Sequence, residues 1–261
     1  MKYGRWIAIV SLFFAPSLFA DEVACADGDA DACFELGAAY DAQGNTEEAS
    51  SYYTKACRAG NGWGCYNLAV TLEEEGSGLK ASEFYKRACS LNITWGCTNL
   101  ASAYERAEGV RQNYGYAREL YERACAADDG IACDRLAAMY DRGLGVKQDT
   151  AAANEYYKKA CDKGVARSCN NLGVAYNKGL GVKIDYDQAI DYYRTACNSG
   201  NAVGCSNLGA LYANAEGVER DLEVSVDLYN KACGMTNQSA CKSAAKIKER
   251  LEREAERKKA N

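Results

Sequence analysis

Small and apolar residues recur along this chain at i, i+3, i+4 and i+7, as in Cys33, Leu36, Gly37 and Tyr40. The series returns at Cys169, Leu172, Gly173, Tyr176 and at Cys205, Leu208, Gly209, Tyr212, while Cys97 and Cys133 head versions with alanine in place of glycine. This spacing puts four side chains on one helical face and predicts a helix, A, whose small residue admits a close neighbour while leucine and tyrosine fill the remaining space. A second pattern ends on the following cysteine: Ala189, Tyr193, Ala196, Cys197. Tyrosine and alanine repeat there in Tyr53/Ala56, Tyr85/Ala88, Tyr121/Ala124, Tyr157/Ala160 and Tyr229/Ala232, predicting a helix B. Strands are excluded by the period and by the abundance of alanine.

The connections are equally regular. Between A and B the later units carry Gly143-Leu144-Gly145-Val146 and Gly179-Leu180-Gly181-Val182, a turn that the first two units shorten by four residues. Between B and the next A, the third residue after the cysteine is Gly28, Gly60, Asn92, Asp128, Gly164 or Gly200, types that tolerate a left-handed helix C-cap. Asp29, Asn61, Asp129, Asn201 and Asn237 follow as N-caps of the next helix. The only proline is Pro16, so nothing after it forces a helix to break.

The 14 cysteines form seven pairs, each eight residues apart: Cys25/Cys33, Cys57/Cys65, Cys89/Cys97, Cys125/Cys133, Cys161/Cys169, Cys197/Cys205 and Cys233/Cys241. They recur every 32 residues and then, from Cys89, every 36. Structural zinc sites use closer cysteines, often with histidine, and this chain has no histidine. Local disulfides are therefore expected, each joining the end of a B helix to the first turn of the next A helix. Closing so short a loop stabilises by about 2.5 kcal/mol in the chain-entropy model. No metal and no cofactor is expected.

An oxidising compartment agrees with the N-terminus. Lys2 and Arg5 precede an apolar run from Trp6 to Ala15, and cleavage after Ala20 would leave a periplasmic or secreted chain. The run is too short for a membrane span. Lipidation at Cys25 is disfavoured by Glu22 and by the pairing with Cys33. Taking Lys2 and Arg5 from the 31 basic residues leaves 29 against 36 acidic, a formal charge of −7, which argues against nucleic acid as a partner. The expected organisation is residues 1–20 as signal peptide, 21–245 as a repeat solenoid and 246–261 as the charged end of a capping helix. The fold class is all-α, a right-handed αα-superhelix of disulfide-stapled helix pairs, in a chain expected to be monomeric.

The L-G-x-x-Y motif, the G-L-G-V turn, the A-x-x-x-Y-x-x-A helix and the C-x(7)-C staple together resemble the Sel-like repeats of the Helicobacter cysteine-rich protein family, relatives of tetratricopeptide repeats. The resemblance covers nearly all of residues 21–245 and implies an exported αα-solenoid. It also implies a label of penicillin-binding or β-lactamase-like, so a β-lactam-binding or weak β-lactamase-type hydrolase is the alternative function, with a β-lactam or peptidoglycan-related compound as its ligand. The residues do not support catalysis. Without histidine there is no Ser-His-Asp or Cys-His machinery, and the cysteines are committed to pairs. S-x-x-K tetrads occur at Ser77/Lys80, Ser239/Lys242 and Ser243/Lys246, where about one is expected by chance, and neither S-D-N nor K-T-G accompanies them.

The better candidate is a surface. A helices line the concave side of such a solenoid, and two places after the second cysteine stand Asn67, Asn99, Asn171 and Asn207, with Glu35 and Arg135 in the first and fourth units. Through the resemblance these match the asparagine with which tetratricopeptide domains hold a peptide backbone or terminal carboxylate. A role in tying adjacent helices together competes with that reading. Phe34, Trp63, Tyr66 and Trp95 surround the row in the early units, and Asp134, Arg135, Arg167 and Asn170 in the later ones. The sequence thus points to a protein or peptide partner, with Asn67, Asn99, Asn171, Asn207, Trp63 and Trp95 as binding residues. A periplasmic scaffold for envelope assembly is a further alternative.

Overall fold

The computed structural model describes residues 15–260, with side chains from 21 to 257. Most of the proposed signal peptide, residues 1–14, lies outside them. Fourteen helices follow one another, with no strand among the described residues: α1 Ala15–Ala26, α2 Ala30–Ala42, α3 Thr46–Arg58, α4 Gly62–Glu74, α5 Gly78–Ser90, α6 Thr94–Arg106, α7 Tyr114–Ala126, α8 Gly130–Arg142, α9 Thr150–Asp162, α10 Ala166–Lys178, α11 Tyr186–Asn198, α12 Ala202–Asn214, α13 Leu222–Gly234 and α14 Gln238–Ala260. Even-numbered helices are the A series and odd-numbered ones the B series. The chain divides into unit 1, through Ala132, and unit 2, from Cys133. Within each unit consecutive helices stack as an αα-solenoid, each packing on the next from α1 to α7 and from α9 to α14.

The core is built from the repeated positions. In unit 1, Leu36, Tyr53, Tyr66, Tyr85, Leu100 and Tyr121 are buried essentially completely, as are Leu136, Met139, Leu172, Tyr193 and Leu211 in unit 2. The small residue on helix A is needed for close approach: a Cβ on Gly37 would lie 2.6 Å from the Tyr53 ring, and one on Gly173 2.5 Å from the Tyr193 ring. Two B-helix tyrosines therefore lie flat against the A helix that precedes them.

Every cysteine is disulfide-bonded. In the six bonds Cys25–Cys33, Cys57–Cys65, Cys89–Cys97, Cys161–Cys169, Cys197–Cys205 and Cys233–Cys241 the α-carbons are 4.5 to 4.8 Å apart. The first cysteine sits next to last in its B helix and the second is the fourth residue of its A helix. All six expected left-handed positions have positive φ, and all five expected N-caps accept backbone N–H groups. At Ile93 and Val165, where no such residue stands, no side chain caps the helix.

The longer A–B turns dock backward. Gly109 lies against Gly78 at the start of α5, Gly181 against Thr150 and Ala151 of α9, and Gly217 against Tyr186 of α11. Asn154 of α9 donates its amide to the Leu180 carbonyl of the next repeat's turn at 2.7 Å. α14 starts as an A helix but runs on for 23 residues. Ala240, Ala244 and Ile247 pack toward Tyr229 and Ala232 of α13, and from Lys248 to Arg257 every side chain but Leu251 is exposed.

Candidate functional site

The residues that repeat on helix A outside the packing positions meet two different environments. In unit 1, Asn67 is completely enclosed and Asn99 is 1% exposed. Asn99 donates to the Tyr66 hydroxyl of the preceding repeat at 3.4 Å. Trp63 and Trp95 stand one turn before Asn67 and Asn99, so indole and amide share a helix face. The two half-buried indoles meet edge to face with centroids 5.2 Å apart, and the buried Tyr66 ring lies 5.8 and 6.0 Å from them. Unit 1 therefore presents aromatic surface with its amides enclosed. Burial pushes the Tyr66 and Tyr85 phenols far above their ordinary value, keeping both neutral. Tyr85 donates to Glu73 at 3.0 Å.

Unit 2 is polar at the same register. Asn171 and Asn207 are half-buried. Asn207 donates to Asn170 Oδ1 of the preceding repeat at 2.9 Å. An amide carries two N–H donors and an oxygen with two lone pairs, so one fixed bond leaves capacity for a ligand. The carboxylate of Asp134, 1% exposed, accepts the Ser168 hydroxyl at 2.6 Å and pairs with the Arg167 guanidinium. The Arg167 side chain remains 43% exposed, and its counterpart one repeat later, Val203, is 50% exposed. Arg135 is half-buried and Glu35 exposed.

The four asparagines thus share a register but not an access. Two are sealed under bulky neighbours, while Asn171 and Asn207 keep part of their surface open, Asn207 with one bond made to Asn170. Phe34 is 4% exposed and packs on Tyr53 with ring centroids 6.0 Å apart, which makes it a core residue of the first repeat.

Other side chains hold successive repeats together. Thr98 donates to the buried N-cap Asp129 at 2.5 Å, and Asn61 to Asp31 at 2.7 Å. A basic residue stands two places before the first cysteine in Lys55, Arg87, Arg123, Lys159 and Lys231. Arg87 donates to the Arg58 carbonyl at 3.2 Å, Arg123 to the Cys89 carbonyl at 3.0 Å and Lys231 to Asn198 Oδ1 at 3.4 Å. Each cation meets the C-terminal end of the preceding B helix, where the backbone dipole is negative. That row is visible in the sequence as a period, which is the signal that reveals it.

Ser77 and Lys80 both line an open surface cleft with Glu73, Leu79, Glu108 and Gly109. Ser239 and Ser243 lie on α14. Among the described residues no cluster of acidic, cysteine and histidine side chains is arranged to hold a metal, and no helix is long and apolar enough to cross a membrane.

The Sel1 repeat model matches residues 64–93, 96–129, 130–165, 166–201 and 202–237, and a tetratricopeptide repeat model matches 30–59. The chain belongs to the Sel1 repeat family. Among solved structures it is similar to a Sel1 repeat protein from Oxalobacter formigenes, at 25% identity with a TM-score of 0.75, over 82% of this chain and 89% of that one. A protective antigen of uropathogenic Escherichia coli matches at 23% identity and a TM-score of 0.55, over 90% of this chain and 68% of the antigen. Cysteine rich protein B of Helicobacter pylori matches at 31% identity and a TM-score of 0.43, over 51% of this chain and 96% of that one. No curated protein matches the chain. The repeat types expected from the motifs are those found. The tetratricopeptide match falls on α2 and α3.

Proposed function

We propose that this chain is an exported binding protein, periplasmic or secreted and monomeric, which captures a protein or peptide partner on the faces of its A helices. Residues 1–20 act as the signal peptide, 21–245 form the binding array and 246–261 end the capping helix. Export is supported by the oxidised state of all the cysteines, a pattern typical of extracytoplasmic proteins. The observation that carries the binding reading is the half-open pair Asn171 and Asn207, the latter held in place by Asn170. Side chains pinned on one side and free on the other are preorganised to pair with an extended backbone. Arg167, anchored on Asp134, adds a fixed donor to the same face. In unit 1, Trp63 and Trp95 supply an apolar anchor of the kind that dominates binding energy, with Asn67 and Asn99 supporting the helices behind them.

A photo-crosslinking residue at Asn171 or Asn207 in the oxidised mature chain tests the proposal against envelope extracts, with Glu155 on the B helix α9 as the control position. Specific adducts at the two asparagines and none at Glu155 are expected. Equal labelling at all three would reject the A-helix face as the binding surface.

A further inference from the structure

The last staple differs from the rest in two independent ways. Every cysteine of the other six pairs is at most 8% exposed, whereas Cys233 and Cys241 are both only half-buried. The cause lies in the stacking. An earlier bond is roofed by the repeat that follows it, as when Arg123 of α7 reaches Cys89 Sγ at 3.6 Å. Beyond Cys241 the chain runs on as the exposed, charged part of α14 instead of turning into a B helix. The second difference is in the backbone. The left-handed position that holds Gly, Asn or Asp in the six other connections is here Thr236, with φ +70°. A β-branched residue is a genuine outlier in that region, so this connection is strained where the others are relaxed.

We infer that Cys233–Cys241 is a redox latch on the capping helix, opened by a dithiol reductant of the thioredoxin-like class while the other staples stay closed. A reductant thiolate attacks one sulfur of the bond and expels the other as thiolate, and the second reductant thiol then resolves the mixed disulfide. The protein gains two cysteine thiols and the reductant leaves as a disulfide. Accessibility favours attack at this bond, and the strain stored at Thr236 is released when the loop is cut. What then holds α14 is its packing on α13, with Ala240, Ala244 and Ile247 in one cluster with Tyr229, Ala232 and Met235. Opening the latch leaves that packing alone to hold α14 and unpins its first turn from the end of α13.

Timed alkylation during graded reduction by dithiothreitol, read by peptide mass spectrometry on the intact oxidised protein, tests the assignment. Cys233 and Cys241 are expected to take label at least tenfold faster than any other pair, and tryptic cleavage after Lys242 and Lys246 should accelerate together with that label. Thr236→Gly, which relieves the backbone without covering the sulfurs, should slow the step several-fold. Earlier or simultaneous labelling of any other pair would overturn the proposal, as would a Thr236→Gly variant reduced at the parental rate.

Discussion

Gly109→Ala is the most informative single change in unit 1, because the physics separates into two parts. Gly109 has φ +72°, a conformation that costs an alanine about 1 to 2 kcal/mol. In addition, its new Cβ would stand 2.1 Å from the Gly78 carbonyl carbon and 2.3 Å from Leu79 N. Both are backbone atoms, so no rotamer change relieves the contact. The turn after α6 must lift by more than an ångström from the start of α5, an overpacking cost of roughly 1 to 3 kcal/mol. The total is about 2 to 5 kcal/mol. Gly44 is the matched control: it has φ +79° in the shorter turn after α2, and nothing lies within 4 Å of an added Cβ. Gly44→Ala should therefore cost only the backbone part. Urea melts of the two variants under oxidising conditions measure the difference directly. If they lose the same stability, the longer turns do not dock on the preceding repeat and that part of the account is wrong.

Asp134→Ala removes a buried acceptor of two hydrogen bonds, one of them charged, and should cost about 2 to 3 kcal/mol, with Arg167→Ala costing less because that side chain is half in water; an unchanged melt for Asp134→Ala would refute the network. Burial raises the phenol pKa of Tyr66, Tyr85, Tyr157 and Tyr193 above the ordinary 10.0. The stability these groups contribute is then fully present below pH 10 and lost as the pH climbs above it, because the unfolded chain gives up phenol protons first. Melting temperature should fall from pH 10 upward while part of the phenolate absorbance appears only on unfolding; titration of all the tyrosines in the still-folded protein would contradict this. A chromogenic cephalosporin should show no enzymatic turnover, since Ser77 and Lys80 share a cleft but the partner motifs of that mechanism are missing; turnover abolished by Ser77→Ala would establish the hydrolase reading instead.

The fold was legible because each repeat restates the same local rules. Helix periods, C-cap and N-cap residues and the cysteine spacing all point one way, so errors at one unit are corrected by the next. Thr236 went unread because it breaks the rule for its position and is held there by the register of the unit. The asparagine row was legible only as a register. Access to an asparagine depends on the residue one turn earlier and on the neighbouring repeat: Trp63, Tyr66 and Trp95 close over unit 1, while Arg167, Asn170 and Val203 leave unit 2 partly open. The partners in the adjoining repeat are more than 30 residues away in sequence, Tyr66 from Asn99 by 33 and Asn170 from Asn207 by 37. The inter-repeat pairs Thr98 with Asp129 and Ser168 with Asp134 were hidden for the same reason.

The central claim, that unit 2 holds its partner through Asn171 and Asn207, is tested most directly by titration calorimetry of Asn171→Ala and Asn207→Ala against the captured partner, with a thermal melt of each variant alongside. Loss of one amide bond to the partner should weaken binding by about 1 kcal/mol, or roughly fivefold, while the melt moves little. Unchanged affinity together with a lowered melting temperature would contradict the claim and assign both asparagines to holding the repeats together.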